Sequence, residues 1–261
     1  MTVQCWVLLP FLLFVVSVGG IWTVYAIAVA NNHVCSLNSW AYNNSCTTNT
    51  STLCCTMMNI PYVSTCGINF PESAVFMATL NIGSAIYLVV CIFRHAHVLD
   101  TKPSESMLST IGLVFGCMSS AGGFLVGNCN PRTLMIIHYL GAALSFAFGL
   151  IYIIIQTLLT YRVSVTGYEV YLAPLRVILT AVQIMASLCY TILFAQIGLH
   201  LQQLSAVFEW LQCTNMHVFL VTLIFDFHCF RSSMLQSLTG KRDEEKALII
   251  SKDTASEMYS K

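Results

Sequence analysis

The chain has 261 residues, of which 57% are apolar and only 8% are charged, and its formal net charge is zero. A water-soluble domain of this length needs more charged side chains to cover its surface. A zero net charge also gives no overall field that would attract nucleic acid. The composition therefore excludes a soluble domain and a nucleic-acid partner, and it predicts an integral membrane protein.

The first predicted element is a membrane-spanning helix over residues 6–30, which contain no charged side chain. This apolar run is longer than the core of a secretory signal peptide, and no basic residues precede it. About 20 apolar residues are enough to cross the hydrocarbon layer as a helix. We therefore predict a retained first helix rather than a cleaved signal.

Further apolar stretches with few or no charged side chains recur along the chain, so that the predicted spans are 6–30, 73–93, 107–127, 133–160, 177–199 and 208–230. A polar loop over 31–72 follows the first span, and a tail over 231–261 follows the last. The fifth and sixth spans are separated only by a short polar break at Gln202, Gln203 and Ser205. The sequence thus predicts an all-α fold, a bundle of six transmembrane helices with a disordered tail.

Basic residues fall almost entirely on one side of this arrangement. Arg94 and Lys102 are assigned to the second connection, Arg162 and Arg176 to the fourth, and six more to the tail. Only Arg132 lies on the opposite side. Because short cytoplasmic segments are enriched in Lys and Arg, we predict that both termini are cytoplasmic.

The opposite side has six cysteines, an even number in a compartment that would be oxidising: Cys35, Cys46, Cys54, Cys55, Cys66 and Cys129. These residues predict disulfide bonds without choosing their pairing. A metal site is the alternative, but the chain contains no Cys-x-x-Cys motif. Two acceptor motifs in the same loop predict N-glycosylation of Asn43 and Asn49.

Small residues recur every four positions in the third and fourth spans, as Gly112, Gly116 and Ser120, followed by Gly123 and Gly127, and as Gly141, Ser145 and Gly149. Such stripes let helix backbones approach closely within lipid. We expect these two helices to be tight neighbours; the alternative is that Gly is simply frequent in membrane helices.

Ionisable residues inside the spans are candidates for function because burying them is costly. The candidates are Glu72, His138, Glu209 and Asp226, and the first three would lie near one end of their helices, where they could form a cluster with Arg132. The histidines fall at separate depths, and no hydrolase motif is present. We therefore expect no enzyme, no metal and no cofactor. A path for ions or solutes along Glu209, His217 and Asp226 is an alternative.

Several motifs resemble the transmembrane protein 150 family. They are residues 20–29, Pro61-Tyr62-Val63-Ser64, Phe70-Pro71-Glu72-Ser73, His138-Tyr139-Leu140-Gly141-Ala142 and Glu209-Trp210. The first loop, with His33-Val34-Cys35 and Cys54-Cys55, most resembles the 150A branch. The family belongs to a larger group with the damage-regulated autophagy modulators and the fungal suppressor-of-four-kinase proteins, and the resemblance covers about residues 6–230.

The resemblance implies six helices and no enzymatic activity. The 150A branch is implicated in holding a type III phosphatidylinositol 4-kinase complex at the plasma membrane. Other branches are linked to autophagy at endosomes and lysosomes, and one to mechanically evoked currents. We therefore expect a membrane scaffold at the plasma membrane that contacts this kinase complex and membrane lipids, with the other two roles as alternatives. The tail after Arg231 does not resemble the 150A tail. The sequence does not indicate whether the protein is a monomer or an oligomer.

The tail contains a pattern typical of acidic dileucine sorting signals, in which Glu244 precedes Leu248 and Ile249 by four residues. Clathrin adaptors read such signals in extended cytoplasmic segments. If this one is read, the protein cycles between the cell surface and endosomes or lysosomes. The alternative is that the mixed charges of residues 241–246 only touch anionic lipid headgroups.

Overall fold

A computed structural model describes residues 5–37, 55, 59–196 and 199–239 of the chain, and for 199–202 the backbone alone. Within these ranges the regular structure is entirely helical, and six helices are long and apolar enough to cross a membrane. The predicted all-α bundle with six transmembrane helices is thus confirmed. Because the number of spans is even, the start of the first span at Cys5 and the end of the sixth at His228 lie on the same side of the bundle.

The helices are, in chain order, α1 (Cys5–Ala30), α2 (Val63–Cys66), α3 (Glu72–Thr101), α4 (Ser106–Asn128), α5 (Met135–Arg162), α6 (Glu169–Phe194), α7 (Leu199–Val221) and α8 (Ile224–His228). Helix α2 is a short element in the first loop, and α7 with α8 forms the sixth span. We call the side where α1 begins and α8 ends the tail side. The side where α1 ends and α3 begins is the loop side.

The fifth span begins earlier than the sequence predicts, at Glu169 rather than near residue 177. Arg176 is therefore inside the helix and not in the connection before it, to which the sequence assigns it. The Glu169 carboxylate accepts hydrogen bonds from the backbone nitrogens of Val165 (2.7 Å) and Thr166 (2.6 Å), so it satisfies donors just before the helix. An acidic side chain also suits a helix N-terminus because of the helix dipole.

The break between the fifth and sixth spans is also displaced. Helix α6 ends at Phe194 and α7 begins at Leu199, so the predicted break at Gln202–Ser205 lies inside a helix. Ser205 is fully buried and its hydroxyl is 2.7 Å from that of Tyr62. Because this hydroxyl has a partner inside the protein, a polar residue here does not require a loop.

Helices α4 and α5 are close neighbours, as the small-residue stripes predict. A Cβ atom at Gly122 would lie only 2.5 Å from the backbone nitrogen of Ser145 and 2.7 Å from the carbonyl oxygen of Gly141. The point of closest approach is thus Gly122, which the period of four residues missed. Gly116 and Gly127 instead face α3, where added Cβ atoms would meet Cys91 and Leu80. Helix α4 therefore packs its small residues against two neighbouring helices, α3 and α5.

The buried apolar side chains form separate clusters at the two sides. The tail-side cluster surrounds Leu13, Tyr152 and Phe227, and the loop-side cluster surrounds Ile21, Phe76 and Trp210. Large apolar side chains such as Ile136 and Val170, each 80% exposed, cover the outer surface of the helices. This distribution suits a bundle whose outer surface is in lipid.

Candidate functional site

The cysteines of the first loop include one observed disulfide bond, between Cys35 and Cys55. Cys66 and Cys129 are buried free thiols, so the prediction that they form disulfides is wrong in this structure. The Cys66 thiol lies within α2, packs in the loop-side core and donates a hydrogen bond to the carbonyl oxygen of Tyr62 (3.4 Å). The remaining disulfide candidates, Cys46 and Cys54, and both glycosylation candidates, Asn43 and Asn49, lie outside the described residues, as does the sorting motif of Glu244, Leu248 and Ile249.

Glu72 joins the end of α1 to the start of α3. Its side chain is completely buried, and Oε1 accepts a hydrogen bond from Nδ2 of Asn31 (2.8 Å) and lies 2.7 Å from Nδ1 of His33. Both partners lie just after the last turn of α1. Glu72 also occupies the first turn of α3, where a negative charge is favourable. The residue therefore has a structural role in closing the loop side.

Glu209 holds the short helix α2 against the sixth span. Its Oε2 atom accepts a hydrogen bond from the backbone nitrogen of Val63 (2.9 Å), the first residue of α2. The adjacent Trp210 donates from Nε1 to the carbonyl oxygen of Pro61 (3.0 Å). The motif Glu209-Trp210 thus positions the segment that carries Tyr62.

The predicted loop-side cluster is only partly formed. His138 donates from Nδ1 to the carbonyl oxygen of Cys129 (2.7 Å), and it lines a cavity together with Glu209 and Arg132. Glu72 is engaged by Asn31 and His33 and does not line this cavity. The sequence placed these side chains at a similar depth but could not show that they belong to different helix interfaces.

On the tail side, Asp226 lies between two arginines, an arrangement that we call the ionic cluster. Its Oδ1 atom is 3.2 Å from a terminal nitrogen of Arg94, and its Oδ2 atom accepts a hydrogen bond from Arg176. All three side chains are 1–3% exposed. Because they come from α3, α6 and α8, the cluster ties three helices together near their tail-side ends.

The arginines of the ionic cluster also satisfy other buried polar groups. Arg176 donates from Nε to the hydroxyl of Thr222 (3.0 Å), from NH2 to the carbonyl oxygen of Thr222 (3.1 Å) and from NH1 to the hydroxyl of Thr160 (2.7 Å). Thr222 lies in the break between α7 and α8, where a backbone carbonyl needs an alternative donor. Arg94 donates from Nε to the side-chain oxygen of Gln156 (3.1 Å).

The placement of Arg94 and Arg176 corrects the prediction that both lie in connections. Each is inside a helix, so neither adds to the basic charge of the loops. The basic residues that predict a cytoplasmic tail side are then Lys102, Arg162 and those of the tail. A signal was present in the sequence, since Asp226 inside an apolar span requires a basic partner at the same depth.

The ionic cluster and the loop-side carboxylates are well separated. Glu209 and Asp226 are 17 positions apart along the sixth span, about 25 Å at the rise of an α-helix. Among the residues that the structure describes, no three His, Cys, Asp or Glu side chains lie close enough together to hold a metal ion.

Residues 5–230 match the profile of the Frag1/DRAM/Sfk1/Cwh43P N-terminal domain. The chain belongs to this family. The match begins with α1 and ends at Phe230, two residues after α8, so it covers the whole bundle. The segment Ser232–Thr239 and the rest of the tail follow the matched domain.

Among similar proteins of the family, transmembrane protein 150A of Xenopus laevis is 34% identical over 227 residues, which cover 85% of this chain and 83% of that protein. Transmembrane protein 150A of Homo sapiens is 32% identical over 88% of this chain and 86% of its own length. Modulator of macroautophagy TMEM150B of Danio rerio is 32% identical over 79% of this chain and 78% of its own length. No solved structure matches the chain. The predicted resemblance to the transmembrane protein 150 family is confirmed.

Proposed function

We propose that this family member is a non-enzymatic scaffold that helps to hold a type III phosphatidylinositol 4-kinase complex at the plasma membrane, with both termini in the cytoplasm. The proposal rests on the resemblance to the 150A branch. Its kinase-binding surface would be the tail-side face of the bundle. This face is small, which suits a docking surface for a larger assembly better than a catalytic domain.

The observation that supports a docking role is that the tail-side connections are fixed to one another. Lys102 donates from Nζ to the carbonyl oxygen of Arg162 (2.8 Å), and the Arg162 guanidinium is 3.3 Å from Glu105. The segment Ser232–Thr239 packs against α3, and the Ser237 hydroxyl donates to Asp100 (3.4 Å). A face whose parts are held together loses little conformational entropy when a partner binds.

Cells that lack the protein provide the test of this proposal. They would be rescued with the wild type, with the double variant Lys102→Glu, Arg162→Glu, or with Thr133→Glu, which introduces a negative charge on the loop side instead. We expect all three proteins to reach the membrane in equal amounts. The double variant should recover less kinase complex on affinity purification and restore less plasma-membrane phosphatidylinositol 4-phosphate than Thr133→Glu does. Failure of the wild type to recover the kinase, with unchanged phosphatidylinositol 4-phosphate in the knockout, would refute the proposal.

A second candidate function is modulation of autophagy at endosomes or lysosomes. It is favoured by the similarity to a relative named modulator of macroautophagy and by the acidic dileucine pattern of the tail, which clathrin adaptors would read. Depletion should then change autophagic flux while plasma-membrane phosphatidylinositol 4-phosphate stays constant. The reverse pattern favours the kinase scaffold.

A further inference from the structure

Two adjoining cavities open at the loop side of the bundle. The outer cavity has a volume of about 760 Å³ and the inner cavity about 590 Å³, each including its open mouth. Ser64, His138, Ala142 and Glu209 line both, so the two cavities are direct neighbours.

Four aromatic rings line the outer cavity, and we call them the aromatic cage: Tyr62, Tyr139, Tyr190 and Phe194. The centroid of the Phe194 ring lies 6.2 Å from that of Tyr62, 5.8 Å from that of Tyr139 and 5.6 Å from that of Tyr190. The Phe194 ring is steeply inclined to the rings of Tyr62 (84°) and Tyr139 (71°). The Phe194 and Tyr190 rings are stacked on each other (23°). Aromatic rings that line a small space can bind quaternary ammonium groups through cation–π attraction.

The charged groups of the outer cavity have opposite signs. Glu209 is 6% exposed, and it is not within ion-pair distance of a basic side chain in the part of the chain that the structure describes. Its carboxylate would favour a cation within the aromatic cage. Arg132 is exposed at the rim, and among the described residues its guanidinium donates one hydrogen bond, to the side-chain oxygen of Asn69 (3.3 Å). A guanidinium with free N–H groups is well suited to bind phosphate.

The inner cavity is lined mainly by apolar side chains, including Phe76, Leu80, Val126, Phe146 and Met216. These residues lie within the membrane-spanning helices, and Phe146 and Met216 are the ones farthest from the loop-side helix ends. A ligand that fills both cavities must therefore have a hydrocarbon chain attached to a polar group that carries one positive and one negative charge. The side chains at the mouth specify where each charge of that group would lie.

We propose that the two cavities bind one choline phospholipid from the leaflet at the loop side. The trimethylammonium group occupies the aromatic cage near Glu209, the phosphate contacts Arg132, and one acyl chain enters the inner cavity. Phosphatidylcholine and sphingomyelin share this headgroup. A serine headgroup would add a carboxylate facing Glu209, and an ethanolamine headgroup lacks the methyl groups that fill an aromatic cage. The site does not depend on binding of a kinase.

The test uses the full chain in nanodiscs of phosphatidylglycerol with a trace of phosphatidylcholine that carries a photoreactive diazirine on one acyl chain. Illumination should attach this lipid to peptides that line the inner cavity. Unlabelled phosphatidylcholine or sphingomyelin should compete with the labelled lipid. A difference in their competition would identify which of the two lipids the site prefers. Equal competition by phosphatidylethanolamine, phosphatidylserine or a sterol would overturn the proposal.

Variants separate binding from folding. Tyr139 is 44% exposed, so Tyr139→Ala should fold, and it should lower labelling about two- to thirtyfold, as expected for a lost cation–π contact. Tyr139→Phe keeps the ring and should label within about twofold of the wild type. Arg132→Ala should also lower labelling. The matched control is Tyr161→Ala on the tail side, where the side chain is 63% exposed. Similar labelling of Tyr139→Ala and Tyr161→Ala would also overturn the proposal.

Discussion

The ionic cluster allows a quantitative prediction about stability. Replacing Asp226 with Asn keeps the side-chain volume but removes the carboxylate that both arginines contact. Arg94 and Arg176, whose side chains are each 1% exposed, would then remain as two positive charges inside the bundle. Asn can still accept hydrogen bonds, so the main loss is electrostatic.

The expected magnitude follows from the burial of the group. Removing one partner of a buried ion pair costs about 3–5 kcal/mol because the remaining charge is left uncompensated. For a chain of this size, one kcal/mol lowers the midpoint of thermal unfolding by roughly 2–4 °C, so Asp226→Asn should lower it by about 6–20 °C. Arg94→Met should cost less, since Asp226 stays paired with Arg176. Glu105→Gln breaks an exposed pair, which is worth about 0–1 kcal/mol, and should lower the midpoint by less than about 4 °C.

The assay is heating of the detergent-purified full chain, followed by gel filtration to measure the fraction that remains monodisperse. The expected order of destabilisation is Asp226→Asn, then Arg94→Met, then Glu105→Gln. An Asp226→Asn midpoint within about 4 °C of the wild type, the range expected for an exposed pair, would refute the reasoning. So would a larger shift for Glu105→Gln.

Three further predictions concern packing, thiol chemistry and trafficking. Gly122→Ala should lower the unfolding midpoint because its Cβ would meet the backbone of α5. Gly19→Ala should not lower it, since no heavy atom lies within 4 Å of the added Cβ. Equal midpoints for the two variants would contradict the close approach of α4 and α5. Burial raises the pKa of the Cys66 thiol to about 12, so almost no thiolate exists at pH 8. Maleimide should therefore react at Cys66 far faster after denaturation, as measured by peptide mass spectrometry. Equal rates in the native and denatured protein would contradict the burial of this thiol. Leu248→Ala with Ile249→Ala should increase the surface fraction measured by biotinylation, and an unchanged fraction would remove the sorting-signal hypothesis.

The number of helices was predictable because the membrane imposes a simple requirement. A segment that crosses the hydrocarbon layer must satisfy its backbone hydrogen bonds internally and be apolar over about 20 residues. The helix ends were less predictable where polar side chains find partners inside the protein. Glu169 at the start of α6 and Ser205 inside α7 both looked like loop residues, yet each is satisfied by hydrogen bonds that only the folded chain provides.

The candidate site was predictable in its residue types but not in its partners. Asp226 and Glu209 stood out as acids in apolar segments. Their surroundings differ, however, because Asp226 meets two arginines from other helices, whereas Glu209 accepts a backbone hydrogen bond beside an open cavity. The aromatic cage was not predicted, since its four rings come from α6, the start of α5 and the segment before α2.

The sequence by itself determined the class of protein, the number of spans and the family, because composition, hydropathy and motifs are properties of the chain. Only the tertiary structure decided that Arg94 and Arg176 belong to a buried ionic cluster rather than to loops. A charged side chain can lie in water or beside an opposite charge in the interior, and its own segment does not distinguish the two. The choice depends on whether another helix brings a partner to the same depth, which is a property of the packed bundle.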